Sequence, residues 1–440
     1  MSEVALRLKK ELNLEYFIIN CKQKDNISGV ENLIVLKFNK LHCISFIFKD
    51  LFKLSYYINL GIQFKLLNYS VLKLLKYLYY LYIFKGYHLA SDEIFRRIKP
   101  DLVFFYGDRN LGAEPHLLKI CNDYDVPSII LPIAFYSDTE RLLKGFRVSV
   151  KGKKRHLVEP NSNFYNRYPD QCLFNSKNKE YISFYPDYMT LSLDDLNILP
   201  ARPNVIGGGN SNYVCIESKR VSESLISEGV DSNKIIFTGS LDLEDIYSSY
   251  KNKKNIKEKL INKYSIGDDK IVIISLPQLI EHKLVTTEIH WKVQNSLCSI
   301  HDLECRVFLS LHPKMKLSNY INLREKYDVT ILEEPLKTIL PIADLFIVGQ
   351  GSSTVEWSQY FKIPTIIADW YGLDYTLYKE CSTLKIIKDA SFYRKSVLSF
   401  LAEKTYNSIP IDDLHSGTEN SLRELSNFTQ NISKTIRELC

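Results

Sequence analysis

Six short apolar runs, at residues 270–276, 306–311, 329–332, 345–348, 364–368 and 384–387, are separated by segments long enough to form a helix. Few folds accept that alternation. Each run predicts a strand, each intervening segment a crossover helix, and repeated crossovers build a parallel sheet with helices on both faces. Earlier in the chain the pattern recurs. Residues 16–19 and 33–35 are short apolar runs, and 100–109, 127–133, 213–216 and 234–240 read as further strands. Ser218 stands where an N-cap belongs before a helix over 219–228. A chain of 440 residues exceeds what one hydrophobic core usually supports. The expected fold is therefore α/β, with two Rossmann-like doubly wound domains facing across a cleft. Their boundaries are read at residues 1–248 and 269–440, with a Lys-rich linker over 249–268. Leu422, Leu425, Phe428, Ile432 and Ile436 mark one apolar face of a terminal helix.

Charge and composition narrow the function classes. A net charge of +6, spread over many lysines and not gathered in a patch, gives no reason to expect a nucleic-acid partner. Nine cysteines, scattered and without a C-x-x-C pair, fit a reducing compartment and offer no zinc spacing, so no metal is expected. The start, Met1-Ser-Glu-Val-Ala-Leu-Arg7, lacks the layout of an export signal, and a cytoplasmic location is expected. Residues 43–87 are rich in Leu, Ile, Phe and Tyr, but lysines interrupt them too often for a membrane span. Lys65, Lys73 and Lys76 share one arc of a helix. They allow two readings, a peripheral contact with the inner face of a membrane, or helices packed on a sheet with lysines in water.

The candidate chemistry gathers where strands end. After the strand at 345–348, Gly349, Gln350 and Gly351 make a turn, and Ser352, Ser353, Thr354 and Glu356 open a helix. Backbone N–H groups at such a helix start, with hydroxyls beside them, suit a diphosphate. Ser353-x-x-Glu356 also reads as a capping box, in which both side chains serve the helix itself. Gln278, Glu281 and His282 follow the first strand of the second half, and His312 and Lys314 follow the next. They form either a polar lining for a ligand or ordinary surface and structural groups. In the first half, Asp108 follows Gly107 at a strand end, placed to act as a general base or to cap the next helix. No P-loop, H-E-x-x-H or nucleophile elbow is present.

The succession Val214-Cys-Ile-Glu-Ser-Lys219, Leu225-Ile-Ser-Glu-Gly-Val230, Lys234-Ile-Ile-Phe-Thr-Gly-Ser240, Ser310-Leu-His-Pro313, Ala343-Asp-Leu-Phe-Ile347, Gly351-Ser-Ser-Thr-Val-Glu-Trp357 and Ile363-Pro-Thr-Ile-Ile367 resembles the GT-B superfamily. That group holds nucleotide-sugar glycosyltransferases, hydrolysing UDP-N-acetylglucosamine 2-epimerases and CDP-glycerol polymer transferases. The resemblance implies that Gly351, Ser352, Ser353 and Thr354 hold the donor diphosphate, with Glu356 by the ribose or sugar and Gln278 and His312 lining the donor pocket. It implies no cofactor beyond the nucleotide-sugar donor, and a glycan or glycolipid acceptor in surface-polysaccharide assembly. The His-Arg-Arg-Glu-Asn segment of the epimerases is replaced here by Leu276-Pro-Gln-Leu-Ile-Glu281, and their His-Val-Glu-Ala-Gly segment by Leu131-Pro-Ile-Ala-Phe135. Glycosyl transfer is therefore the leading expectation, with a hydrolysing epimerase, a CDP-alditol phosphotransferase and a non-catalytic sugar-nucleotide-binding protein as the alternatives.

Overall fold

A computed structural model describes residues 7–8, 10–12, 18–20, 33–35, 69–109, 114–131, 156–175, 179–281, 285–349, 352–371, 378, 380–402 and 427–439. The chain divides into two compact units. Unit 1 holds residues 1–133, 154–238 and 429–440, and unit 2 holds 134–153 and 239–428.

Unit 1 begins with the parallel pair β1 (Ile18–Asn20) and β2 (Leu33–Val35), followed by the long helix α1 (Tyr69–Ile98). The expected β-α-β unit is present as β3 (Val103–Phe105), α2 (Glu114–Asp123) and β4 (Ser128–Ile130). An insertion absent from the sequence reading comes next, an antiparallel sheet of β5 (His156–Val158), β6 (Cys172–Asn175) and β7 (Glu180–Ser183), in the order β5-β7-β6. Its strands are too short to show alternation. Helix α3 (Asp187–Asp195), strand β8 (Tyr213–Ile216), helix α4 (Lys219–Ser227) and strand β9 (Ile235–Phe237) complete the order β3-β4-β8-β9, all parallel. Ser218 caps α4 as expected, its Oγ accepting the N–H of Val221 at 3.3 Å. Lys73 pairs with Asp187, and Lys76 lies over the ring of Tyr188, 5.4 Å from its centre. Both lysines thus contact α3; Lys65 lies outside the described residues. Among the described residues no helix is long and apolar enough to cross a membrane.

Unit 2 opens with α5 (Leu241–Lys251) and α6 (Lys253–Tyr264). The stretch read as a linker is largely α6, and Tyr250 and Leu260 are buried in the core of unit 2. Six parallel strands follow where the apolar runs placed them: β10 (Lys270–Ser275), β11 (Cys305–Ser310), β12 (Thr330–Ile331), β13 (Leu345–Val348), β14 (Thr365–Ala368) and β15 (Leu384–Ile387). Between them lie α7 (Thr287–Cys298), α8 (Ile321–Tyr327) and α9 (Ser353–Tyr360), with α10 (Tyr393–Ala402) after β15. Successive strand residues feed opposite faces. Ile271, Ile273, Phe346 and Val348 enter one core cluster, while Val272, Ile274, Leu345 and Ile347 enter the other. Burial on both faces explains why these strands read as unbroken apolar runs. The last helix, α11 (Phe428–Leu439), belongs from Thr429 onward to unit 1, where Ile432 and Ile436 are buried and Asn431 donates to the Thr238 carbonyl at 3.1 Å. Leu422 and Leu425 lie outside the described residues. The division thus falls at 238/239 and not at 248, and the chain's end crosses back.

Candidate functional site

The sheet of unit 2 runs β12-β11-β10-β13-β14-β15. From β10 the chain builds outward on one side through β11 and β12, then returns to build the other side through β13, β14 and β15. Opposite crossovers open a crevice at the carboxyl ends of β10 and β13, where open α/β sheets bind their ligands. This is the strand order of dinucleotide-binding Rossmann sheets.

The two strand exits at that reversal pack tightly. The Gly349 N–H donates to the Ser275 carbonyl at 3.4 Å. A Cβ on residue 349 would lie 2.6 Å from Cδ of Pro277 and 3.0 Å from Cδ1 of Leu297. Glycine is required here by close approach. On the β10 side, the Oε1 atom of Gln278 is buried without a hydrogen-bond partner among the described residues. An amide oxygen in that position costs about 1–3 kcal/mol unless a donor reaches it.

Helix α9 begins at the same edge. Its N-cap is Ser352, whose Oγ accepts the Thr354 N–H at 3.1 Å and lies 2.6 Å from the Thr354 hydroxyl. Tyr378 fixes the cap from outside, its hydroxyl donating to the Ser352 carbonyl at 2.7 Å. The cap thus comes one residue before the box read from Ser353 and Glu356. Counted from Ser352, the reciprocal position is Val355. Glu356 sits buried in the first turn. The helix macrodipole and two hydroxyls make this terminus electropositive and hydroxyl-lined.

The exit of β11 carries His312 and Lys314. The Lys314 N–H donates to Nδ1 of His312 at 3.1 Å, which puts the proton of the neutral ring on Nε2. Lys314 itself is exposed. Gln278, His312, Lys314, Gly349, Ser352, Thr354 and Glu356 therefore share the carboxyl edge of one sheet. Ser353 is the first residue of α9, and His282 and Gly351 lie outside the described residues.

Asp108 belongs to unit 1 and is only 1% exposed. Its Oδ1 accepts the Gly207 N–H at 3.0 Å, and its Oδ2 the Gly209 N–H at 2.7 Å and the Ser211 hydroxyl at 3.3 Å. Burial pushes its carboxyl above the usual range, and these three donors pull it back. Of the two sequence roles, neither base nor cap describes this geometry: Asp108 organises the 207–211 loop. Among the described residues no group of three or more His, Cys, Asp or Glu side chains is arranged to hold a metal.

Sequence reasoning passed over Tyr378, which comes from a segment without strand or helix periodicity. It also missed the strand-order reversal, because pairing order leaves no trace in local pattern.

No protein-family model matches the sequence, and no curated protein does. Solved structures are similar in arrangement. The UDP-GlcNAc 2-epimerase of Neisseria meningitidis bound to UDP-GlcNAc is 12% identical, with 81% of each chain covered and a TM-score of 0.44. The UDP-GlcNAc 2-epimerase of Methanocaldococcus jannaschii is 13% identical over 99% of this chain and 95% of that one, with a TM-score of 0.45. The glycotransferase of kitacinnamycin is 12% identical over 82% of each chain, with a TM-score of 0.44.

Proposed function

We propose that unit 2 binds a nucleotide sugar and that the protein is a metal-independent glycosyltransferase of the GT-B type, passing the sugar to a surface-polysaccharide or glycolipid hydroxyl. One observation carries the binding reading. At the strand-order reversal, Gly349 presses against Pro277, and the Ser352-capped start of α9 follows directly. Close backbone approach beside a helix N-terminus is the arrangement that accommodates a diphosphate. Transfer is preferred over epimerisation because the epimerase segments are replaced at 131–135 and 276–281. The acceptor class rests on the sequence resemblance alone.

A thermal-shift screen of the whole protein against UDP, CMP, CDP, GDP and their sugars tests the binding reading. At least one nucleotide is expected to raise the melting temperature. No shift across the panel contradicts it. Incubating the stabilising sugar nucleotide without acceptor then separates the enzymes: release of free nucleotide with a C2-inverted sugar identifies an epimerase and excludes the transferase.

A further inference from the structure

Four side chains behind the exit of β10 form a hydrogen-bond chain with one allowed direction. Gln294, on α7 and fully buried, places Nε2 within 3.4 Å of Nδ1 of His290 and 3.3 Å of the Pro277 carbonyl. An amide nitrogen only donates, so Nδ1 accepts and the neutral imidazole carries its proton on Nε2. Burial lowers the His290 pKa, which keeps the ring neutral. Nε2 lies 3.2 Å from the hydroxyl of Tyr320. That hydroxyl receives the His290 proton and donates its own to Oε1 of Glu281 at 2.6 Å. From Gln294 through His290 and Tyr320, the chain donates toward the carboxylate.

The chain stops at Glu281. Among the described residues its other oxygen, Oε2, is buried and without a partner, and so is the hydroxyl of Tyr371 after β14. Trp370, Tyr371 and Trp291 pack against the cluster that contains Tyr320 and Leu276. The Glu281 carboxylate adds to burial in raising the Tyr371 phenol, so the two groups feel each other. A carboxylate oxygen seeking a donor, with the Tyr320 and Tyr371 rings near it, matches a ring that carries hydroxyls on its edge and C–H groups on its face.

We propose that Glu281 binds the hydroxyls of a sugar ring through Oε2, held in place by Tyr320 and His290, with Tyr371 beside it. This rests on the reading that unit 2 binds a nucleotide sugar. The vicinal hydroxyls belong either to the nucleotide's ribose or to the transferred sugar.

Titration of the full-length protein by calorimetry tests it. Probes are UDP, CDP and GDP, their 2′,3′-dideoxy analogues, their sugar nucleotides and inorganic pyrophosphate. Glu281→Gln is expected to weaken hydroxyl-bearing probes about tenfold or more while leaving pyrophosphate unchanged. Tyr320→Phe, which keeps the ring but frees Oε1, is expected to weaken the same probes to a smaller extent. A loss that disappears with the dideoxy analogues assigns the ribose. A loss confined to sugar nucleotides assigns the transferred sugar. Equal affinity of Glu281→Gln and wild type for every probe overturns this inference and leaves nucleotide binding standing, as does an equal loss for pyrophosphate. If the wild type binds none of the nucleotides, both readings fall.

Discussion

Gly209 donates its backbone N–H to Oδ2 of Asp108 at 2.7 Å, across a separation of 101 residues in the chain. The contact ties the exit of β3 to the glycine loop before β8. A Cβ on residue 209 would stand 2.8 Å from that same oxygen, so the loop is shaped around the carboxylate. Removing the carboxylate in Asp108→Ala strands two buried N–H groups and is expected to destabilise unit 1 by about 2–5 kcal/mol. All three tryptophans, Trp291, Trp357 and Trp370, lie in unit 2. Unit 1 must therefore be followed by circular dichroism or hydrogen exchange. Loss of turnover with unit 1 at full stability would return Asp108 to the role of base.

Gly349→Ala places a methyl group 2.6 Å from the Pro277 ring. The ring is rigid and Leu297 closes the other side, so overpacking of about 1–3 kcal/mol is expected in unit 2. Urea unfolding followed by tryptophan fluorescence measures it, and an unchanged midpoint contradicts the close approach.

His116 on α2 is 1% exposed, with the Tyr87 ring stacked on it at 5.7 Å and Phe84 at 5.8 Å. Burial and the neighbouring His88 push its pKa from 6.5 down to about 3. In the unfolded chain the ring takes up a proton below about 6.5; in the folded chain it does not until about 3. Stability is thus full above pH 6.5 and falls as the pH drops through that window, by at most about 1.4 kcal/mol per pH unit. His116→Phe is expected to flatten the slope between pH 7.5 and pH 5. An unchanged slope assigns the acid sensitivity elsewhere.

The terminal helix makes a separate prediction. Ile432 is fully buried in unit 1 although it lies at the far end of the chain. Ile432→Ala is expected to cost about 2–5 kcal/mol, seen as faster hydrogen exchange in β8 and β9 but not in β10 or β13. Faster exchange in unit 2 instead would contradict the assignment of α11.

The parts of the fold legible in the sequence are those set by local burial. The β10–β15 strands showed themselves because both faces are covered, and Ser218 because an N-cap needs only its own helix. The β5–β7 sheet did not, since strands of three or four residues give alternation no length to register. The candidate site divides the same way. Gly349 stood out through turn chemistry, whereas the cap was read one residue late, at Ser353 in place of Ser352, because three consecutive hydroxyl residues offer the same cap chemistry. Asp108 misled, because a carboxylate after a strand looks the same whether it meets a substrate or a loop about a hundred residues away. Tyr320 and His290 carried no signal, since each reads as an ordinary core aromatic until the hydrogen bonds between them are seen.

Ser352 bears most directly on the account, because one Oγ caps α9 and would sit among the groups that hold a diphosphate. Calorimetric titration of wild type and Ser352→Ala with the nucleotide that stabilises the protein best isolates that role. The cap loss by itself is expected to cost about 1 kcal/mol of stability, small enough to leave unit 2 folded. The nucleotide is expected to bind the wild type, and Ser352→Ala, still folded by tryptophan fluorescence, is expected to lose the response; full-affinity binding to Ser352→Ala would overturn the diphosphate reading.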